Sequence, residues 1–196
     1  MTKRAYKRRH DHVVVDASVA QAAGVTREPV VPEREACTGF LRAVEAGDLR
    51  VVMTPEIFEE WTDHPSGFAL RWLTRMTGRK RVTQHSPAAV APVDRQTILG
   101  HCVSDKQKRA AEKDFLLLAA ATGPPAAFVA SKDDRMRDIL RLSCGRCGPL
   151  DAVDWVNPTR GDEVWEDWLA ERCPCGTRAL CPDGSRRREV VTLPLL

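Results

Sequence analysis

The sequence contains no long hydrophobic run, and this absence limits the classes of protein that it can encode. No apolar stretch approaches the roughly 20 residues that span a membrane. The basic N-terminus is not followed by the apolar segment of a secretory signal. We therefore expect a chain that makes no membrane contact and resides in the cytoplasm. Hydrophobic residues make up 43% and charged residues 29% of the 196, which is typical of a globular domain with its own core.

Two signatures of phosphoryl-transfer enzymes are also absent from the sequence. No glycine-rich phosphate loop occurs. The first predicted strand is followed by Asp16-Ala17-Ser18 rather than by a D-x-D motif, in which one residue separates two aspartates. An α/β phosphatase is therefore the weakest of the enzyme classes that the chain can be assigned to. No internal repeat is present.

The seven cysteines form an odd set that does not fit a closed disulfide framework. In a reducing compartment such residues are free thiols or metal ligands. Cys144 and Cys147 form a C-x-x-C pair, and Cys173 and Cys175 begin a second cluster that includes Cys181. The two pairs can supply four thiolates to a Zn²⁺ that attaches the C-terminal residues to the domain. Redox-active thiols and inert cysteines are the alternatives.

The net charge of +3 is too small to indicate a nucleic-acid partner, but the basic residues are clustered. Basic clusters beside an acidic pocket suit a polyanion, and solvated surface segments are the alternative. The candidate substrate contacts among the basic residues are Arg71, Arg75 and Lys132. The clusters themselves are Lys3, Arg4, Lys7, Arg8 and Arg9; Arg71, Arg75, Arg79, Lys80 and Arg81; and Arg186, Arg187 and Arg188.

Strand and helix patterns alternate along the chain, which predicts a parallel α/β sheet with right-handed crossovers. We expect residues 1–11 to be a basic tail, 12–171 the domain, and 172–196 a small extension that contains a β-prone stretch at 189–193. The segment 77–92 is interpreted as loop. Strands are predicted at 13–15, 49–53, 126–130 and 150–156, and the helices include 33–46, 54–61, 68–76, 93–103, 104–122 and 161–170.

The stretch from Val13 to Ala20 is the one around which the chain is organised. Three consecutive valines predict a buried parallel strand, and Asp16 follows at its carboxyl end. Open α/β sheets bind ligands at that end of their strands. The alternative is that Asp16 only caps the following helix.

Three more acids occupy corresponding positions further along the chain. Glu60 lies on the helix after the second strand, Asp114 lies on the apolar side of the helix before the third, and Asp133 follows the third. We expect them to converge with Asp16, although Asp133 and Asp134 can also serve as N-terminal helix charges. Clustered carboxylates repel unless cations neutralise them, and oxygen-only ligands suit Mg²⁺ or Mn²⁺. Such ions support an in-line displacement at phosphorus.

The segments VVVDAS, TPEIFEEW, KDFLLLAAA and FVASKDDRM, followed by WVNP, resemble the PIN-domain nucleases over about residues 12–170. The resemblance implies a three-layer α/β fold and a Mg²⁺- or Mn²⁺-dependent endoribonuclease acting on RNA. Ser131 takes the place of the family's threonine beside the last acid and is a candidate substrate contact. Arg135 stands where the family often has a second acid, so Asp134 is an alternative ligand. The implied catalytic and metal-binding set is Asp16, Glu60, Asp114 and Asp133.

Many PIN proteins are toxins that an antitoxin holds inactive, and others process RNA without one. The resemblance therefore implies an RNA substrate and raises an antitoxin partner and a homodimer as further expectations. The alternative function is a non-catalytic RNA-binding or regulatory module. In that interpretation the pocket has lost its catalytic activity, because the basic residues Lys132 and Arg135 lie near the acids.

Overall fold

The computed structural model describes residues 9–24, 31–63, 66–84 and 92–181. They form a sheet in the order β3-β2-β1-β4-β5, in which every pairing is parallel, with helices flanking it. The predicted α/β class with a central parallel sheet is therefore confirmed. The strands are β1 (His12–Val15), β2 (Arg50–Met53), β3 (Val82–Gln84), β4 (Phe128–Ala130) and β5 (Trp155–Val156).

Most helices match the predicted segments, but the segment 93–103 is helical only as far as Leu99, and the segment 161–170 only from Trp165. The helix predicted from Ser104 begins at Asp105. The Ser104 hydroxyl accepts a hydrogen bond from the Gln107 backbone N–H, and the Gln107 side chain accepts one from Val103. None of the described helices is long and apolar enough to cross a membrane. They are α1 (Ala17–Ala22), α2 (Pro32–Ala46), α3 (Pro55–Asp63), α4 (Gly67–Gly78), α5 (Pro92–Leu99), α6 (Asp105–Thr122), α7 (Asp134–Leu142) and α8 (Trp165–Ala170).

β1 is the central strand, and its three valines are fully buried. It pairs with β2 on one side and with β4 on the other, and Val15 lies opposite Ala130. The backbone N–H of Asp16 then donates to the carbonyl of Ala130 at 2.9 Å. The carboxyl ends of β1 and β4 are therefore adjacent, and the residues that follow them emerge side by side.

Two predictions about strands are wrong. The segment 77–92, interpreted as loop, contains β3, which pairs with β2 at the edge of the sheet and is only partly buried. An edge strand of three residues has little hydrophobic pattern, so no strand was predicted there. Of the predicted strand over 150–156, residues 150–152 belong to a 3₁₀ helix (Gly148–Ala152), and β5 contains only the last two residues.

Residues 178–180 run antiparallel along residues 153–155 at the edge of the sheet, so this part of the predicted extension packs on the domain. The N–H of Trp155 donates to the carbonyl of Arg178 at 3.0 Å, and the N–H of Leu180 donates to that of Val153 at 2.8 Å. Residues 182–196, which include the β-prone stretch and the third basic cluster, lie outside the described residues.

His10 was predicted to belong to a basic tail, but it is buried in the domain. Its Nε2 lies 2.7 Å from the carboxylate of Asp154, which also accepts hydrogen bonds from the N–H groups of Gly176 and Arg178. Asp154 thus ties both ends of the domain to the edge of the sheet. The rest of the predicted tail, residues 1–8, lies outside the described residues.

Candidate functional site

The carboxylate of Asp16 emerges from the end of β1 and does not cap α1 through its side chain. Its Oδ2 accepts hydrogen bonds from the hydroxyls of Ser131, at 2.7 Å, and of Ser18. The Ser131 hydroxyl accepts from the N–H of Asp133 at 3.1 Å, and the Ser18 hydroxyl accepts from that of Lys132 at 3.2 Å. This network fixes one oxygen of Asp16 to the loop that follows β4.

Asp114 lies in the middle of α6, a helix that packs on β1, β2 and β4. Its side chain is partly buried. Burial, together with the negative charges of Asp16, Asp133 and Glu60, raises the pKa of Asp114 to about 8. The four predicted acids, which come from four different parts of the chain, are therefore close enough to repel one another.

α3 is held against the end of β1 by Trp61, whose indole N–H donates to the carbonyl of Val15 at 3.0 Å. Ile57 and Trp61 form the buried side of this helix. The apolar residues of this helix in the sequence predict that Phe58 is buried as well, but it is 46% exposed. The helix therefore presents a narrower apolar face than its sequence pattern indicates.

The same helix carries Glu60. We refer to Asp16, Glu60, Asp114 and Asp133 together as the acidic group. Burial and the charge of Asp16 raise the pKa of Glu60, and the nearby Lys113 lowers it. Lys113 also lowers the pKa of its neighbour Asp114. The sequence prediction missed both Lys113 and Ser18 as parts of the site. Their signal was only proximity, since each lies within two residues of a predicted acid.

The two aspartates at the start of α7 have different surroundings. Asp133 caps the helix, because its Oδ1 accepts a hydrogen bond from the N–H of Met136 at 2.9 Å. It also contributes to the repulsion at Asp114. Asp134 has its Oδ1 3.8 Å from a guanidinium nitrogen of Arg160. Asp133 therefore joins the acidic group, and Asp134 faces Arg160.

Two of the predicted basic substrate contacts are engaged in ion pairs. Arg75 forms two hydrogen bonds of 2.8 Å with the carboxylate of Glu45 at the end of α2. This end of α2 precedes β2, so the pair lies where the strands begin, opposite the acidic group. Lys132 pairs with Glu33 at the start of α2. Arg71 is exposed on α4.

The four cysteines predicted to bind zinc are not brought together. Cys144 forms a disulfide with Cys181, which corrects the predicted ligand set. The Sγ of Cys147 lies 3.7 Å from the carbonyl of Asp94. Burial raises the pKa of the Cys147 thiol to about 11 and that of the Cys173 thiol to about 12. Thiols with such pKa values are poor metal ligands and poor nucleophiles.

The acidic group fits a divalent cation by charge and by donor chemistry. Its donors are carboxylate oxygens, which suit Mg²⁺ or Mn²⁺, and a cation would relieve the repulsion at Asp114. Within the described ranges, no three His, Cys, Asp or Glu side chains are already arranged as a metal site. The chain matches no model of a known protein family and no curated protein.

Proposed function

We propose that this chain is a metal-dependent endoribonuclease of the PIN type, which hydrolyses RNA at the acidic group. The observation that carries the proposal is the convergence of Asp16, Glu60, Asp114 and Asp133 from four separate elements. Burial, together with the charges of the other three acids, raises the pKa of Asp114 to about 8. Strongly perturbed carboxyl groups are typical of functional sites, because their repulsion is offset when a ligand binds.

The residues that would hold Mg²⁺ or Mn²⁺ are those four acids. The hydroxyls of Ser18 and Ser131 orient the carboxylate of Asp16, since both donate to its Oδ2. None of the hydrogen bonds between described residues ends on Oδ1, so that oxygen is the one offered to the cation. Because burial and the neighbouring acids raise the pKa of Asp114 to about 8, a cation held by this carboxylate would displace a proton. When bound, such a cation supplies charge stabilisation at the reacting phosphate.

The alternative of a non-catalytic RNA-binding module depended on two basic residues beside the acids. The ammonium of Lys132 is paired with Glu33, so it does not neutralise the acidic group. Arg135 is exposed on α7. These positions favour the enzyme over the binding module. An antitoxin partner and a homodimer remain predictions that rest on the resemblance alone.

The test is cleavage of a panel of single-stranded RNAs by the purified protein in Mn²⁺, Mg²⁺ or EDTA. We expect metal-dependent cleavage that Asp16→Asn lowers by roughly 10²- to 10³-fold or more, because the substitution removes a charge from the reacting centre. Asp138→Asn, which removes an exposed aspartate on α7, is the matched control. Cleavage in EDTA, or full activity in both Asp16→Asn and Asp114→Asn, would exclude the proposed site.

A further inference from the structure

The first half of α6 carries four exposed basic side chains, and three of them, Lys106, Arg109 and Lys113, form no ion pair with another described residue. Spacings of three and four residues place them along one side of the helix. They span about 10 Å of the helix axis. Beyond Asp114 the helix becomes almost fully buried, so the basic residues end where the acidic group begins. We refer to these three residues as the α6 ridge.

The α6 ridge differs from Arg75, Arg79 and Lys108, which are engaged in ion pairs with nearby carboxylates. None of the ion pairs in the described part of the chain includes a ridge residue. By contrast, Arg75 and Arg79 share the carboxylate of Glu45. On α6 itself, Lys108 lies 3.8 Å from Asp105. Exposed charges without a protein counter-ion are those that attract an external polyanion.

Lys113 connects the α6 ridge to the acidic group. It directly precedes Asp114, and it is close enough to the carboxyls of Asp114 and Glu60 to lower the pKa of both. A chain of phosphates lying along the ridge from Lys106 would therefore arrive at these carboxylates. Lys113 is therefore the point at which the ridge meets the acidic group.

The opposite flank of the acidic group is unfavourable for a polyanion. There, Arg160 is surrounded by the carboxylates of Asp134, Asp162 and Glu163, at 3.8, 2.7 and 3.6 Å. Glu163 also pairs with the buried Arg137, so the arginines on this flank are already compensated by carboxylates. Electrostatic attraction for a phosphate backbone therefore comes from the side of α6.

We propose that the α6 ridge binds the phosphodiester backbone of single-stranded RNA and guides it to the acidic group. This rests on the proposed nuclease function for the identity of the reaction. The binding itself does not depend on cleavage, because Lys and Arg contacts to phosphates act through charge. The ridge would therefore bind RNA of any sequence.

The experiment measures binding of a fluorescein-labelled oligouridylate by anisotropy in EDTA, over a series of salt concentrations. Lys106→Gln/Arg109→Gln removes two ridge charges and should weaken binding roughly tenfold at low salt, lowering the slope of log K against log[salt] by about 1.4. Lys108→Gln/Arg141→Gln also removes two exposed charges, each paired with a neighbouring aspartate, and should leave affinity and slope unchanged. Circular dichroism confirms that both variants are folded.

Equal affinity and slope in the ridge variant and the wild type would overturn the ridge proposal, as would equal losses in both double variants. Absence of RNA binding by the wild type would also overturn it. If Asp16→Asn abolishes metal-dependent cleavage but the ridge variant binds normally, the nuclease proposal holds and the ridge proposal is wrong. If RNA binding depends on the ridge but no RNA in the panel is cleaved, the ridge proposal holds and the nuclease proposal is wrong.

Discussion

Ser131 and Asp16 are 115 residues apart in the chain, and the hydroxyl of Ser131 donates to the Oδ2 of Asp16 at 2.7 Å. The contact exists because Val15 and Ala130 are paired in the sheet, which places the next residues of β1 and β4 side by side. Ser18 donates to the same oxygen. Two hydroxyls on one oxygen hold the carboxylate in a single orientation before any ligand binds.

Replacement of Ser131 by alanine should weaken Mn²⁺ binding without unfolding the protein. The substitution removes a hydrogen bond that orients Asp16, and the loss of such bonds behind a metal ligand typically costs about 10- to 100-fold in affinity. Isothermal titration with Mn²⁺ measures the change. Ser143→Ala is the control, because the buried Ser143 hydroxyl has no hydrogen-bond partner among the described residues. Unchanged Mn²⁺ affinity in Ser131→Ala would contradict the orienting role.

Asp114 should make the stability of the metal-free protein depend on pH. The folded state raises the pKa of Asp114 from 3.8 to about 8, so folding favours the protonated carboxyl. Its stabilising contribution is complete below about pH 4 and is lost as the pH rises through about 8. In EDTA, the free energy of unfolding of the wild type should therefore fall over this range relative to that of Asp114→Asn.

Urea unfolding at a series of pH values measures this difference. Asp105→Asn, an exposed change in the first turn of α6, should follow the pH dependence of the wild type. Mg²⁺ should restore stability to the wild type at high pH and have little effect on Asp114→Asn. Parallel pH curves for the wild type and Asp114→Asn would show that Asp114 titrates normally.

Asp154→Ala should destabilise the domain by about 3–5 kcal/mol, because it removes the acceptor of a buried, charge-assisted network. The carboxylate of Asp154 is 1% exposed and accepts hydrogen bonds from Gly176 and Arg178, with His10 at 2.7 Å. Urea denaturation gives the free energy of unfolding. The exposed pair of Asp138 and Arg141 is the comparison, and Asp138→Ala should cost less than about 1 kcal/mol. Similar losses in the two variants would contradict the role of Asp154.

The disulfide between Cys144 and Cys181 should stabilise the folded domain by about 3–4 kcal/mol, because it closes a loop with a sequence separation of 37 residues. Reduction of the wild type should lower the urea midpoint, and the same reductant should not change the midpoint of Cys144→Ser/Cys181→Ser. Peptide mapping without reduction should find the two cysteines on one linked peptide. A midpoint that is insensitive to reductant would contradict the stabilising role.

The fold and the acidic residues could be predicted because their signals are local. Three valines in sequence indicate a buried strand wherever they occur, and the Ser104 cap is defined by residues three positions apart. The expectation that the four acids lie at the same edge of the sheet then followed from the handedness of parallel crossovers. β3 and Phe58 were predicted wrongly because edge strands and short helices carry little periodic pattern.

Only the tertiary structure decided which partner each side chain meets. The sequence offered Arg75 and Lys132 as substrate contacts, yet Glu45 and Glu33 pair with them because both glutamates lie on α2. Cys144 bonds to Cys181 because the residues just before Cys181 lie along the edge of the sheet at β5. No local sequence pattern predicts where these residues pack. Charge, hydroxyl and thiol contacts between distant residues depend on the packing of whole elements. The sequence determines which charged groups, hydroxyls and thiols are present, and the packing of the helices and strands determines which of them come into contact.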